Sequence, residues 1–195
     1  MMKVRRRALI LANHSYEDPE VQAKLLPGLD VDFQLKAVMD LKRVLEDPNI
    51  GGFEAMLLID RPSYEVQQAV ETFFAESQPD DIILLIFSGQ GIKGRDGMLY
   101  FLTIDTKLDL LRSSAVSARF INEIMGLSPS EQKIMILDCS YIGPFTKQEV
   151  TKGERDVVAG EYFAGSGRVV LSASQNMRRS TSEGAAFASS EEGQP

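Results

Sequence analysis

The stretch Ile82-Ile83-Leu84-Leu85-Ile86-Phe87-Ser88-Gly89-Gln90-Gly91 decides the fold class of this chain. It begins with six consecutive apolar residues, without polar alternation. Such a run predicts a β-strand buried on both faces, as in a parallel sheet between two helical layers. Residues 8–11, 134–137 and 169–171 form three further runs of this kind, and residues 54–59 predict a weaker strand.

Helical patterns separate these strands. Their apolar stripes are Val38, Leu41 and Leu45; Val66, Val70, Phe73 and Phe74; and Phe120, Ile121, Ile124 and Met125. Ser63 is the expected N-cap of the second helix, and Arg95-Asp96-Gly97 is the expected turn of a hairpin. Alternating strands and helices predict the α/β class, a three-layer α/β/α sandwich with a mostly parallel sheet.

Composition excludes several classes of function. The 195 residues carry 21 basic and 28 acidic side chains, a net charge of −7, so nucleic acid is not an expected partner. A single cysteine and a single histidine exclude an internal disulfide and a Cys/His zinc cluster, and we expect no cofactor and no metal. No apolar stretch approaches a membrane span, which predicts a cytoplasmic protein without a membrane partner.

The segment from Gly89 to Gly94 matches the G-x-G-x-x-G pattern of dinucleotide sites. A dinucleotide site requires that a helix opens there, with its N-terminus facing the pyrophosphate. An extended stretch follows instead, so we interpret the glycines as a tight turn.

Two predicted strand ends carry the polar residues of interest. Ser88 and Gln90 follow the third strand, and Asp138 and Ser140 follow the fourth. In open α/β sheets, sites form outside the carboxyl ends of the strands, so these residues face one crevice. With them the chain resembles the large-subunit domain of the caspase/metacaspase superfamily, most closely its bacterial branch. These cysteine endopeptidases read Ser-Gly-His-Gly at the first end and Asp-x-Cys-x-x-Gly at the second. Further similar segments are residues 7–13, 16–19, 44–48, 51–54 and 168–173.

The resemblance implies a degenerate catalytic dyad, because Gln90 stands at the family's histidine position and Ser140 at its nucleophile position. A cysteine protease requires a thiolate and a base that accepts and returns its proton. Glutamine has no titratable nitrogen, so we expect a pseudoenzyme. Strand alternation directs Cys139 away from Ser140, which predicts that the thiol is a buried apolar group. His14 is interpreted as a surface or capping residue.

The resemblance further implies a remnant of a pocket for an Arg or Lys side chain. Ser88 and Asp138 keep two of the three pocket positions. The third is an Asp that opens the first long helix in the family. It aligns near Ala37, and Asp30 or Asp32 could compensate. Two acids hold a guanidinium better than one, so we expect a weakened pocket.

Residues 1–173 are expected to form the caspase-like domain, with residues 141–168 at the position of the family's processing linker. Residues 174–195 are expected to form a flexible tail, because they offer little apolar surface to bury. Residues 184–187 resemble the start of the family's small-subunit portion, so we expect that portion to be truncated, with an unpaired sheet edge. Four residues of the loop and tail are candidate pseudo-substrate or cleavage sites: Lys152, Arg155, Arg178 and Arg179.

Three hypotheses of function follow. The first is a pseudo-protease that binds or inhibits an active caspase-like protease as a heteromer, with release by a processing protease, in bacterial defence or cell death. The second is an Arg/Lys-directed cysteine endopeptidase inactivated by substitution at both dyad positions. The third is an unrelated, non-enzymatic α/β ligand-binding or scaffold domain that shares only the strand ends.

Overall fold

The computed structural model describes residues 4–25, 30–142, 162–163 and 165–172 of the chain. Within these ranges, seven strands form one sheet: β1 (Arg6–Ala12), β2 (Glu54–Ile59), β3 (Ile82–Lys93), β4 (Leu99–Leu102), β5 (Ala115–Ser117), β6 (Gln132–Ile142) and β7 (Arg168–Ser172). The same ranges contain five helices: α1 (Pro19–Leu25), α2 (Val31–Glu46), α3 (Ser63–Ala75), α4 (Leu111–Ser114) and α5 (Ala118–Leu127). The predicted α/β class is confirmed.

The central strands run parallel in the order β2-β1-β3-β6-β7. β3 is long enough to pair with β1 along its first part and with the antiparallel strand β4 near its end. β5 then pairs with β4 and extends this antiparallel part of the sheet. All four apolar runs and the weaker segment at residues 54–59 are strands, and each contributes to the parallel part.

Two apolar layers explain why the strands show no polar alternation. On one face, Ile10, Leu84 and Ile86 pack with Val38 of α2. On the other face, alternate residues of the same strands pack with α3 and α5, in a core that contains Leu9, Leu11, Val66, Val70, Phe73, Phe74, Leu85, Phe87, Ile121 and Met125. Burial on both faces is the arrangement that the apolar runs predicted.

The glycine-rich segment after Phe87 is an extended strand, so its interpretation as a tight turn is wrong. β3 continues to Lys93, and no helix opens there. Gly89 permits the close passage of β1, because a Cβ at this position would lie 2.7 Å from the carbonyl oxygen of Asn13. The turn itself comes later, at the predicted hairpin, where Gly97 has a φ of 77°.

The N-terminus of α3 also differs from expectation. Pro62 is the N-cap and makes no side-chain capping bond, and Ser63 is the first helical residue. Asp105, in a loop distant along the chain, caps the N-terminus of α3 instead of the Ser63 side chain. Its carboxylate accepts hydrogen bonds from the N–H (2.8 Å) and the hydroxyl (3.0 Å) of Ser63.

The parallel part of the sheet has two edges. Among the described strands, β2 pairs only with β1, and β7 only with β6. Residues 174–195 and all but a few of residues 141–168 lie outside the described ranges. None of the helices in the described part of the chain has the length and hydropathy that crossing a bilayer requires.

Candidate functional site

The carboxyl ends of β3 and β6 bring the four predicted crevice residues together. Gln90 is the register partner of Ser140, and Ser88 is the partner of Asp138. Backbones of adjacent strands lie about 4.8 Å apart, so the members of each pair are direct neighbours. Ala12 of β1 pairs with Ser88 from the other side and continues the crevice toward β1.

The candidate residues of β3 and β6 differ in their exposure to solvent. Ser88 and Gln90 are 5% and 7% exposed, whereas Asp138 and Ser140 are exposed. Cys139, between the last two, is buried in the core on the opposite face of the sheet. Its Sγ lies 3.7 Å from the carbonyl oxygen of Phe87, to which the thiol donates. The predicted orientation of Cys139 is therefore confirmed, and the thiol does not face the crevice.

His14 extends the crevice beyond β1. It follows the strand by two residues and is only 3% exposed, so the expectation of a surface histidine is wrong. Within the described residues, its Nε2 has no hydrogen-bond partner. Burial lowers the pKa of His14, against the opposing influence of the nearby carboxylates of Asp60 and Asp138. The imidazole is therefore held neutral beside the crevice.

Asp60 fixes the position of His14. Its Oδ1 accepts hydrogen bonds from the backbone N–H groups of His14 (2.8 Å) and Ser15 (3.0 Å). Asp60 has a φ of 48°, a left-handed conformation that Asp tolerates better than most residues. Asp60 is not among the site residues that the sequence predicted. It directly follows β2, so the rule that sites form at strand ends would have found it.

Among the described residues, an amide rather than an ionisable side chain stands opposite Ser140. The neighbour of Ser140 is the amide of Gln90, which cannot accept a proton as a general base. His14 follows β1 rather than lying at the family's histidine position, and its backbone is held by Asp60 after β2. Two strand spacings, about 10 Å between backbones, separate β1 from β6. The arrangement can bind a peptide by hydrogen bonds and by the exposed Asp138 carboxylate.

The opening of α2 shows where the three candidates for the third pocket position lie. Ala37 lies in the second turn of α2, not at its start. Asp30 is the N-cap, and its carboxylate accepts the N–H of Phe33 at 3.0 Å. Asp32 lies in the first turn and is exposed. Of the two acids at the start of α2, Asp30 is engaged in the capping bond and Asp32 is not.

The remaining predicted site residues, Lys152, Arg155, Arg178 and Arg179, lie outside the described residues. Across the described ranges, no three His, Cys, Asp or Glu side chains converge in a way that could hold a metal ion. The candidate site among the described residues thus consists of Ser88, Gln90, Asp138, Ser140 and His14.

Comparisons with known proteins agree with this architecture. The family model described as Caspase domain (Peptidase C14) matches residues 5–194. Among solved structures, the chain is similar to protein GSU0716 from Geobacter sulfurreducens, with a TM-score of 0.55 and 16% identity. That similarity covers 71% of this chain and 52% of the other, so this chain spans about half the length of that protein. A comparison with curated proteins gives no match.

Proposed function

Because this chain belongs to the caspase-domain family, we propose that it is a catalytically inactive member that binds or inhibits an active caspase-like protease. The observation that carries the proposal is the register of Gln90 opposite Ser140. The two residues stand where the resemblance puts the family's base and nucleophile. Gln90 cannot act as a base, and Ser140, a weaker nucleophile than a thiolate, is left without activation from that position. The family match leaves no support for the third hypothesis, an unrelated α/β domain.

The chemical argument concerns activation of the nucleophile. A serine hydroxyl attacks only when a neighbouring base takes its proton, and Gln90 cannot take it. Loss of one member of such a unit costs several orders of magnitude in rate, and loss of both leaves little beyond binding. The crevice nevertheless keeps Ser88 and Asp138 side by side. Binding without turnover is therefore the activity that these residues support.

Peptide hydrolysis tests the inactivity. We expect the purified chain to leave peptides with Arg, Lys or Asp at the scissile position uncleaved. Turnover that is absent from the Ser140→Ala variant and from a mock purification would overturn the proposal. The paired variant Gln90→His/Ser140→Cys addresses the second hypothesis. Cleavage of Arg or Lys peptides by it would favour an endopeptidase inactivated at the dyad, and no cleavage would favour a long-established pseudo-protease.

Co-expression tests the partner. We propose that the chain forms a heteromer with a catalytically competent caspase-like protease, in bacterial defence or cell death. Cleavage of the chain by a processing protease would then release the active protease. We expect the two chains to co-elute in size-exclusion chromatography and peptide cleavage by the active protease to fall. Separate elution, or unchanged cleavage in the presence of excess chain, would contradict the partner role and leave the inactivity result standing.

A further inference from the structure

A second surface lies at the β2 edge of the sheet, away from the candidate site on β3 and β6. The outer edge of β2 presents backbone N–H and C=O groups that no other described strand pairs with. An unpaired edge of this kind accepts an added strand, and side-chain pockets beside it then select the sequence of that strand.

A groove of about 390 Å³ lies between this edge and α3. Its floor includes Met56 and Leu58 of β2, and Met56 is 52% exposed although it is a large apolar side chain. Its wall is one stripe of α3 and the residue after it: Glu65, Gln68, Ala69, Thr72 and Glu76. A strand edge beside an apolar groove and a helix is suited to an extended segment with a large apolar anchor.

The charges around the groove add a second feature. Glu65 is paired with Arg61 at 3.8 Å, and Glu76 with Arg7 at 3.1 Å. Glu54 lies on the same face of β2 as Met56 and is exposed. Its register partner is Arg7, and its charge helps to raise the pKa of Arg5, but neither arginine is within ion-pair distance of it. A cation two positions from the apolar anchor of an occupant would meet this carboxylate at ion-pair distance, since residues i and i+2 of a strand face the same side.

We propose that the groove binds residues 173–182 of a second copy of this chain as an added antiparallel strand. This segment directly follows β7 and contains Met177 and Arg179 at this spacing. Antiparallel addition places Met177 beside Met56 and Leu58, and Arg179 beside Glu54. The inference concerns a surface that the proposed pseudo-protease role does not use.

Distance assigns the segment to a second copy. β7 and β2 lie at opposite edges of the parallel strands, and a strand added outside β2 is five spacings, about 24 Å, from β7. Met177 follows the last residue of β7 by five positions, which span at most about 18 Å. The segment therefore cannot reach the groove of its own chain, and its binding to the groove of a second copy would be head-to-tail.

A labelled peptide of residues 173–182 provides the probe. The receptor is the full chain with Met177→Asp, so that its own segment does not compete. We expect saturable binding by fluorescence anisotropy, and Met56→Asp should weaken it at least about tenfold by placing a charge in the apolar groove. Met39→Asp is the matched control, because Met39 is 55% exposed but lies on α2. It should leave the affinity unchanged.

Charge reversal tests the proposed register. Glu54→Arg should weaken binding about two- to fivefold, and an Arg179→Glu peptide should bind this variant more tightly than the unchanged peptide does. The wild-type chain should gain mass with concentration in analytical ultracentrifugation, and Met177→Asp should abolish that gain. No peptide binding, equal loss with Met39→Asp, or a concentration-independent monomer would each overturn the proposal.

Discussion

His14 is the single histidine of the chain, and its imidazole is almost completely removed from solvent. Burial lowers its pKa, so the unfolded chain binds a proton more readily than the folded chain. The stabilising contribution of the neutral ring is therefore complete above the unfolded pKa of about 6.5 and is lost as the pH falls below it. No other side chain of ordinary pKa titrates in this window.

We therefore expect the free energy of unfolding of the wild-type chain to fall between about pH 6.5 and pH 5 more steeply than that of His14→Gln. Urea unfolding at several pH values measures the difference. The variant removes the only imidazole and keeps every carboxylate, so the difference between the two curves reports the titration of the ring and its coupling to Asp60 and Asp138. Parallel curves for the two proteins would show that the ring is not held neutral.

Among the elements, α3 shows how a distant residue replaces a local cap. Asp105 accepts hydrogen bonds from the backbone and hydroxyl of Ser63, and also from the hydroxyl of Thr103 at 2.8 Å. Its negative charge lies at the helix N-terminus, where the helix dipole favours an anion. The start of α3 is thereby connected to the loop that follows β4.

Asp105→Ala is expected to lower the free energy of unfolding by about 1–2 kcal/mol, the usual cost of removing a helix cap and a charged hydrogen bond. Asp105→Asn should cost less, because the amide oxygen still accepts a hydrogen bond. Asp109→Ala, an exposed acid of the same loop, serves as the control and should change stability by less than about 0.5 kcal/mol. Chemical denaturation compares the three variants, and equal losses for Asp105→Ala and Asp109→Ala would contradict the capping role.

The elements that the sequence predicted are those with their own apolar pattern. The runs at residues 8–11, 82–87 and 134–137 are strands because a continuous apolar run is stable only when both faces are buried. The short elements α1, α4 and β5 were not predicted. Each has too few residues to show a period, so its conformation depends on contacts with the rest of the chain.

The same limit applies to the candidate site. Gln90 and Ser140 could be placed opposite each other because parallel strand ends meet at one edge. The burial of His14 could not be predicted, because a single histidine after a strand has no periodic pattern that shows which neighbours will cover its ring. The cap of α3 by Asp105 was missed because it spans 42 positions of the chain.

The described helices cover the central strands of the sheet more completely than its β7 edge. On the face that α2 covers, the apolar side chains become more exposed from β3 toward β7. Leu84 and Ile86 on β3 are buried, and their neighbours Ile134 and Ile136 on β6 are half-buried. Val169 and Leu171 of β7 are 54% and 53% exposed. Apolar side chains that are contiguous and exposed in this way mark an interaction surface. We name these four residues of β6 and β7, Ile134, Ile136, Val169 and Leu171, the open face.

The open face is where we expect the active caspase-like protease to bind. Leu171→Asp should leave the stability of the isolated chain within about 0.5 kcal/mol of wild type, because the side chain is already exposed. It should weaken the heteromer at least about tenfold by placing an unpaired charge in an apolar contact. Leu127→Asp is the matched control: this leucine is 80% exposed at the end of α5 and should have no effect on binding. Co-elution and inhibition of peptide cleavage measure both variants. Full inhibition by Leu171→Asp would exclude the open face as the interface, and loss of inhibition by Leu127→Asp as well would show that the effect is not specific to β7.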